Sequence, residues 1–273
     1  MKPAPLFAAC IVMTLAATAA AVEPSRTATA LKTALEVKST APATASASGL
    51  PDPAEVVGSV QKVALFALLS LVPVAVLMVT AFVRINIVLT LLRQALGSPQ
   101  VPGNQVLMAL ALLLTALVMW PVGNKVYTQG IEPYTAKKLA AGPAWEAGTK
   151  PIKAFMIQQI ELTRHQDYLW QFYDYVEPPT PGRVDPVYGD DFPLRVVAPA
   201  FLLSELTTAL VIGFYIYLPF LVIDLVVSAV LAAMGLFMLP PSLVAMPLKL
   251  ILFVLADGWL LVASMLLQSF GAP

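Results

Sequence analysis

The chain has one cysteine, Cys10, and one histidine, His165. A disulfide within it is excluded, and a cluster of His and Cys metal ligands cannot be built from single copies. Charge is scarce: 12% of residues are Asp, Glu, Lys or Arg, where soluble domains carry about 25%. Sixteen basic residues balance sixteen acidic ones, so nothing draws the chain generally to nucleic acid. No nucleophile–base pair, phosphate-cradling glycine loop or metal-ligand spacing is present. Nothing therefore points to an enzyme or to a bound cofactor. What fills the sequence is apolar: 59% of the 273 residues are hydrophobic. Mean hydropathy is +0.81, a membrane-type composition.

Residues 1–21 read as a secretory signal. Lys2 supplies a positive start, Leu6 to Ala17 an apolar core, and Ala19-Ala20-Ala21 small residues for cleavage. The run is too short and alanine-rich for a first transmembrane helix. Residues 22–60 are rich in Ala, Thr, Ser and Pro and read as a flexible extracytoplasmic tail. Residues 61–122 form a first helical hairpin. Its spans are Val63–Phe82, with Pro73 inside, and Val106–Val122, ending at Trp120-Pro121. Between them, Arg84 and Arg93 without any acid mark a cytoplasmic loop by the positive-inside rule. The amphipathic piece Arg84–Leu96 leaves two readings open: a helix lying on headgroups, or one packed on a neighbouring subunit.

Residues 123–196 are the polar part, expected outside as a mainly helical extracytoplasmic domain. Helices are expected over Tyr134–Ala141 and Pro151–Tyr175, and a proline-rich loop over Val176–Pro193. His165 reads as a solvated surface residue. Residues 197–273 form a second hairpin, with spans Ala198–Ile223 and Ser242–Leu267 and an apolar connector over 224–242. Some forty apolar residues from Ala198 to Leu239 exceed the ~20 a bilayer needs. The helix is therefore expected to bend or break before Pro240-Pro241, which would stop it in any case. An apolar broken connector survives at membrane depth only inside protein or beside a cavity, which suggests a pore or an assembly interface. The whole reads as an all-α membrane protein: two long helical hairpins, four apolar helices, with a helical insertion between them.

Three pieces carry a family likeness. One is Arg84-Ile85-Asn86-Ile87-Val88-Leu89-Thr90-Leu91-Leu92-Arg93-Gln94-Ala95-Leu96-Gly97, running into Pro102-Gly103-Asn104-Gln105. Another is Pro199-Ala200-Phe201-Leu202-Leu203-Ser204-Glu205-Leu206-Thr207-Thr208-Ala209, running into Leu218-Pro219-Phe220-Leu221-Val222-Ile223-Asp224. The third is Pro240-Pro241, then Pro247-Leu248-Lys249 to Ala256-Asp257-Gly258-Trp259. Together they resemble the FliP/SctR family, the export-gate subunits of flagellar and virulence type III secretion, over about Val63 to Phe270. The resemblance implies a pentamer assembled with FliQ- and FliR-type subunits, near FlhA/FlhB-type export proteins, passing unfolded protein substrates. It implies a bacterial inner-membrane location in the flagellar basal body. It also implies that the gate stands largely above the bilayer plane.

Glu205, Asp224, Lys249 and Asp257 lie in otherwise apolar surroundings, where charges face protein or water. The resemblance points to an ion pair between Glu205 of one copy and Lys249 of the next. A proton relay is the alternative for the acids. The family's methionine loop before the paired prolines falls on Leu236, Phe237 and Met238, with Met234 upstream, so one methionine of the trio is kept. These four are the expected pore gasket, since an apolar ring can dewet and still part for a chain. Packing between helices is the simpler reading of the residues alone. The function expected is a flagellar export-gate subunit. The alternatives are a virulence-system gate, or an ion or small-molecule transporter subunit, for which the missing repeat between hairpins counts against.

Overall fold

A computed structural model describes residues 53–97, 102–180, 183, 185–187, 189–236 and 238–271. The signal expected at 1–21, Cys10, residues 22–52 of the expected tail, and Phe237 lie outside the described residues. Among the described residues there are helices and no strands. In chain order they are α1 (Pro53–Met78), α2 (Phe82–Ala95), α3 (Asn104–Val126), α4 (Glu132–Thr135), α5 (Ala141–Leu162), α6 (Gln166–Val176), α7 (Leu194–Ala233), α8 (Pro241–Leu255) and α9 (Gly258–Gln268). The described residues up to Val74 form one unit and those from Ala75 onward a second. Residues 53–60, given above to the tail, already belong to α1. Its first residue is a proline, which suits a first helical turn because its missing N–H has no partner there anyway.

α2 is the buried helix of the second unit. Thr80 accepts a hydrogen bond from the Phe82 N–H at 3.3 Å, satisfying one donor at the helix start. Ile85, Val88, Leu89, Leu92 and Ala95 recur at helical spacing and are buried, mainly against α7. Gly213 on α7 is what lets α2 approach. A Cβ there would lie 2.2 Å from Leu91 Cδ1. The amphipathic stripe expected to meet headgroups or a neighbouring subunit is thus covered by its own chain.

Prolines end fewer helices than expected. α3 runs through Pro121 and a π-helical turn, Tyr127–Ile131, into α4. α5 contains Pro151, and α7 contains Pro199 and Pro219. A proline removes one intrahelical donor and crowds one turn. The flanking turns keep their own bonds, so an apolar stretch with no competing turn residues stays helical. The helix expected over Pro151–Tyr175 is two helices, broken at Arg164, whose φ is 59°. Of the helix expected over Tyr134–Ala141, only Tyr134 and Thr135 at the end of α4 and Ala141 at the start of α5 are helical, and the chain turns over 136–140. Trp170, Tyr173 and Phe192 meet edge to face, and Arg183 pairs with Asp174 and Asp185. These contacts tie the proline-rich loop to α6.

α7 has 40 residues, about 60 Å of helix at 1.5 Å per residue. The span expected to stop at Ile223 continues ten residues further, and the connector expected over 224–242 shrinks to Met234–Pro240. The helix does break before the prolines, at Gly235, where φ is 73°. The Gly235 N–H bonds the Ala232 carbonyl and the Leu236 N–H bonds the Leu231 carbonyl, both at 3.0 Å. That pairing closes a helix whose next residue is left-handed, a role glycine fills without a Cβ clash. The expected fourth span is α8 and α9, bent by 66° at Ala256-Asp257. Among the described residues, three helices are long and apolar enough to cross a membrane, Gln61–Met78, Asn104–Thr135 and Leu194–Ala233, and a fourth if the bent pair counts as one span.

Candidate functional site

Two clusters of charge are built into the apolar unit. The first centres on Arg84, in the first turn of α2. Its guanidinium grips Glu205 of α7 with Nε to Oε2 at 2.8 Å and Nη2 to Oε1. Nη1 donates to the Ser269 carbonyl at 2.7 Å and to Ser269 Oγ at 3.1 Å, and Nη2 also donates to Gln159 Oε1 at 3.2 Å. Gln159 Nε2 in turn donates to the Phe270 carbonyl at 3.1 Å, and the Phe270 ring lies 4.1 Å from Arg84 Cζ. All five guanidinium donors therefore have an acceptor. Both charged side chains are 0% exposed. Taking two ions out of water costs several kcal/mol each. A bidentate pair with every remaining donor satisfied is the arrangement that offsets it. Among the described residues no buried side-chain nitrogen or oxygen lacks a partner.

The cluster ties together α2, α5, α7 and the turn after α9. Ser204, beside Glu205, is hydrogen-bonded to Thr163 Oγ1 at 2.8 Å and to His165 Nδ1 at 2.9 Å. The His165 ring stacks on Tyr168 with centroids 4.9 Å apart. His165 is thus a docked residue rather than the solvated one expected. Burial, and then the nearby Arg84 charge, hold its pKa below the ordinary 6.5.

The second cluster lies toward the other end of α2. Lys249 Nζ of α8 donates to Asp224 Oδ2 of α7 at 2.7 Å and to the Ala95 carbonyl at 3.1 Å. That carbonyl belongs to the last turn of α2, where the helix leaves acceptors free and carries negative partial charge. Lys249 is nearly buried, whereas the Asp224 side chain is 37% exposed.

Within one chain Glu205 and Lys249 do not meet: Glu205 pairs with Arg84 and Lys249 with Asp224. Each charge already has a short partner in its own chain. Arg84 suits the buried carboxylate better than a lysine does, because its planar fork meets both oxygens at once. Arg84 is a buried residue of α2, as the helical spacing of Arg84–Leu96 allowed, and Arg93 is half-buried on the same helix. Arg84 and Gln159, read above as lying on opposite sides of the bilayer, are in direct contact. Asp257, expected within a helix, sits at the α8–α9 bend, exposed and in the left-handed conformation with φ 49°.

Of the expected gasket, Met234, Leu236 and Met238 are exposed, Met238 at 96%. Met234 caps α7, while Leu236 and Met238 lie between the Gly235 helix stop and Pro240. The segment is therefore not packing between helices of this chain. Phe237 is outside the described residues.

Gln159 and Ser269 were not singled out from the sequence. A signal exists for Gln159: it is a polar residue inside the apolar stripe Phe155, Met156, Ile160 of α5. Ser269 acts largely through its backbone carbonyl, which no side-chain pattern marks.

Comparison with known proteins agrees with the three sequence pieces. The model of the FliP family matches residues 65–266. Flagellar biosynthetic protein FliP of Caulobacter vibrioides is 48% identical over 211 residues, covering 77% of this chain and 76% of that protein. The protein of the same name from Pectobacterium carotovorum is 47% identical over 212 residues, covering 78% and 79%. That of Bacillus subtilis is 40% identical over 219 residues, covering 80% and 95%. A match running through α2, α7 and α8 takes in Arg84, Glu205, Asp224 and Lys249, and by it the chain belongs to the FliP family.

Proposed function

We propose that this protein is a core subunit of the export gate of flagellar type III secretion, a conduit rather than an enzyme. It assembles with copies of itself and with FliQ- and FliR-type subunits in the inner membrane at the flagellar basal body. FlhA/FlhB-type proteins deliver unfolded substrates to it. The relatives' name supports the flagellar assignment over a virulence system.

One observation carries the assembly reading. α7 is about 60 Å long, twice the ~30 Å of a bilayer's hydrocarbon core. Apolar side chains are exposed along all of it, from Leu194 through Leu210, Phe214 and Leu225 to Met234. Lipid can cover about half of that length. The rest needs protein, and a contiguous apolar face of this extent is a subunit interface. The Met234–Met238 segment then lies at the rim or axis of the assembly, where adaptable apolar side chains close a pore to ions and part for a chain.

The test is native mass measurement of the detergent-extracted protein, alone and co-expressed with its FliQ- and FliR-type partners. A closed oligomer is expected. A monomer in both preparations, with solute transport by the single chain, would overturn the reading. In the assembled gate Met238→Ala should raise ion conductance, and unchanged conductance would remove the sealing role.

A further inference from the structure

Three helices change character at one level of the second unit. α2 runs parallel to α7, with Arg84 against Glu205 and Leu91 against Gly213. Carried on, that register ends α2 at Ala95, level with Ile216-Tyr217. Pro219 lacks the N–H that would bond the Tyr215 carbonyl, so α7 is missing a rung across the same two residues. α8 runs antiparallel to α7, with Lys249 against Asp224 and Phe253 against Phe220. That register sets the 66° bend at Ala256-Asp257 beside Ile216-Tyr217 as well. Asp257 holds the bend in the left-handed conformation, φ 49°, which only glycine adopts freely.

Beyond this level the end of α7 and the whole of α8 form an arm, residues 220–255. The arm has a small core of its own, Val227, Leu231 and Ala245, separate from the main one. At its base Phe253 fits the notch left by Gly258, where a Cβ would lie 2.2 Å from the ring, and meets Trp259 edge to face at 5.2 Å. Among the described residues one side-chain hydrogen bond joins the arm to α2. Lys249 Nζ, anchored on the arm by Asp224 at 2.7 Å, donates it to the Ala95 carbonyl at 3.1 Å.

We propose that the arm swings as one piece about the level of Pro219 and Asp257, and that Lys249 on the Ala95 carbonyl is the catch that holds it. A hinge needs a weak point in each segment that crosses it, and both segments entering the arm have one at the same height. The catch can let go because solvent reaches Asp224, 37% exposed, which keeps its hold on Lys249 when the carbonyl is released. The freed helix-end carbonyl is then taken up by water. Between Pro219 and Ala233 α7 rises about 21 Å, so a swing of ~15° carries the Met234–Met238 segment about 5 Å. What the motion does there, opening or closing a pore, rests on the gate reading above; the motion itself does not.

The experiment measures distances between paired nitroxide labels by pulsed electron resonance, on the full chain in detergent with Cys10→Ser. Leu243→Cys, exposed on α8, reports the arm, and Gln158→Cys, exposed on α5, reports the body. The wild type should give one narrow distance. Lys249→Met should add a population displaced by about 5 Å. Lys249→Arg, which can donate to the same carbonyl, should restore the single distance. Asp224→Asn should leave it single, because the bond across the hinge survives. Pro219→Ala, added to Lys249→Met, should narrow the spread by returning the missing rung to α7. A second label pair inside the arm, Val226→Cys with Leu243→Cys, should not change in any variant. An unaltered arm–body distance in Lys249→Met overturns the proposal, as does an equal displacement in Asp224→Asn. Broadening of the pair inside the arm also overturns it, since the arm would then melt instead of swinging. A fixed arm in a chain that forms the expected oligomer faults the hinge alone, whereas a freed arm in a chain that never assembles faults the gate reading alone.

Discussion

The two ion pairs toward opposite ends of α2 differ in how far water reaches them. Arg84–Glu205 is sealed: both side chains are 0% exposed and every guanidinium donor is used. Lys249–Asp224 is half open, with the aspartate 37% exposed and a backbone carbonyl as the other acceptor. A sealed pair is expensive to lose in part, because the surviving ion stays buried without a partner. A half-open pair loses little, because solvent takes over for the missing group. The same two-charge chemistry therefore makes one end of α2 a rigid clamp and leaves the other end adjustable.

The largest effect should separate these cases. Arg84→Ala or Glu205→Ala should each lower unfolding stability by about 3–5 kcal/mol in detergent, measured by thermal or denaturant unfolding. Arg84→Met combined with Glu205→Met should recover most of that loss. A double variant as unstable as the singles would show that the cost comes from lost packing, not from an orphaned charge. Next comes the approach of α2 to α7: Gly213→Val should cost about 1–3 kcal/mol by forcing Leu91 aside. Full stability in that variant would mean that the α2–α7 contact yields easily. At the open end, Asp224→Asn should cost about 1 kcal/mol or less. A loss as large as that at Glu205 would erase the distinction between the two pairs.

The smallest effect is a pH dependence at His165. Its folded pKa lies below the unfolded 6.5, so the unfolded state binds the proton first. Stability from this group is fully present above about pH 6.5 and is lost as pH falls through that value toward the folded pKa. Hydrogen exchange around Thr163–Tyr168 should quicken on acidification in that window, and His165→Gln should remove the change. A slope that persists in the variant would assign it to another group.

Parts of this architecture are legible in the sequence for clear reasons. Long uncharged runs report helices at membrane depth whatever their neighbours do, because the backbone has no other way to satisfy its donors there. The apolar spacing of α2 and the helix stop near Gly235 are local properties as well. Intramembrane charge at Glu205 and Lys249 likewise announced that partners must exist. Which partners they are was not local. Arg84 lies 121 residues from Glu205, and Asp224 lies 25 residues from Lys249. Rules read one segment at a time placed Arg84 in a cytoplasmic loop, on the far side of the bilayer from Gln159.

Composition and periodicity by themselves determined that this is a helical, membrane-type chain, because hydrophobicity and helical spacing act over a few turns. The tertiary structure decided that α3 would run on past Pro121 into a π-helical turn. It also decided that α7 would outrun any bilayer, and that the chain's C-terminal turn at Ser269–Phe270 would close over Arg84. Those outcomes depend on which surfaces meet, and a buried charge accepts whatever acceptor the folded chain brings within about 3 Å.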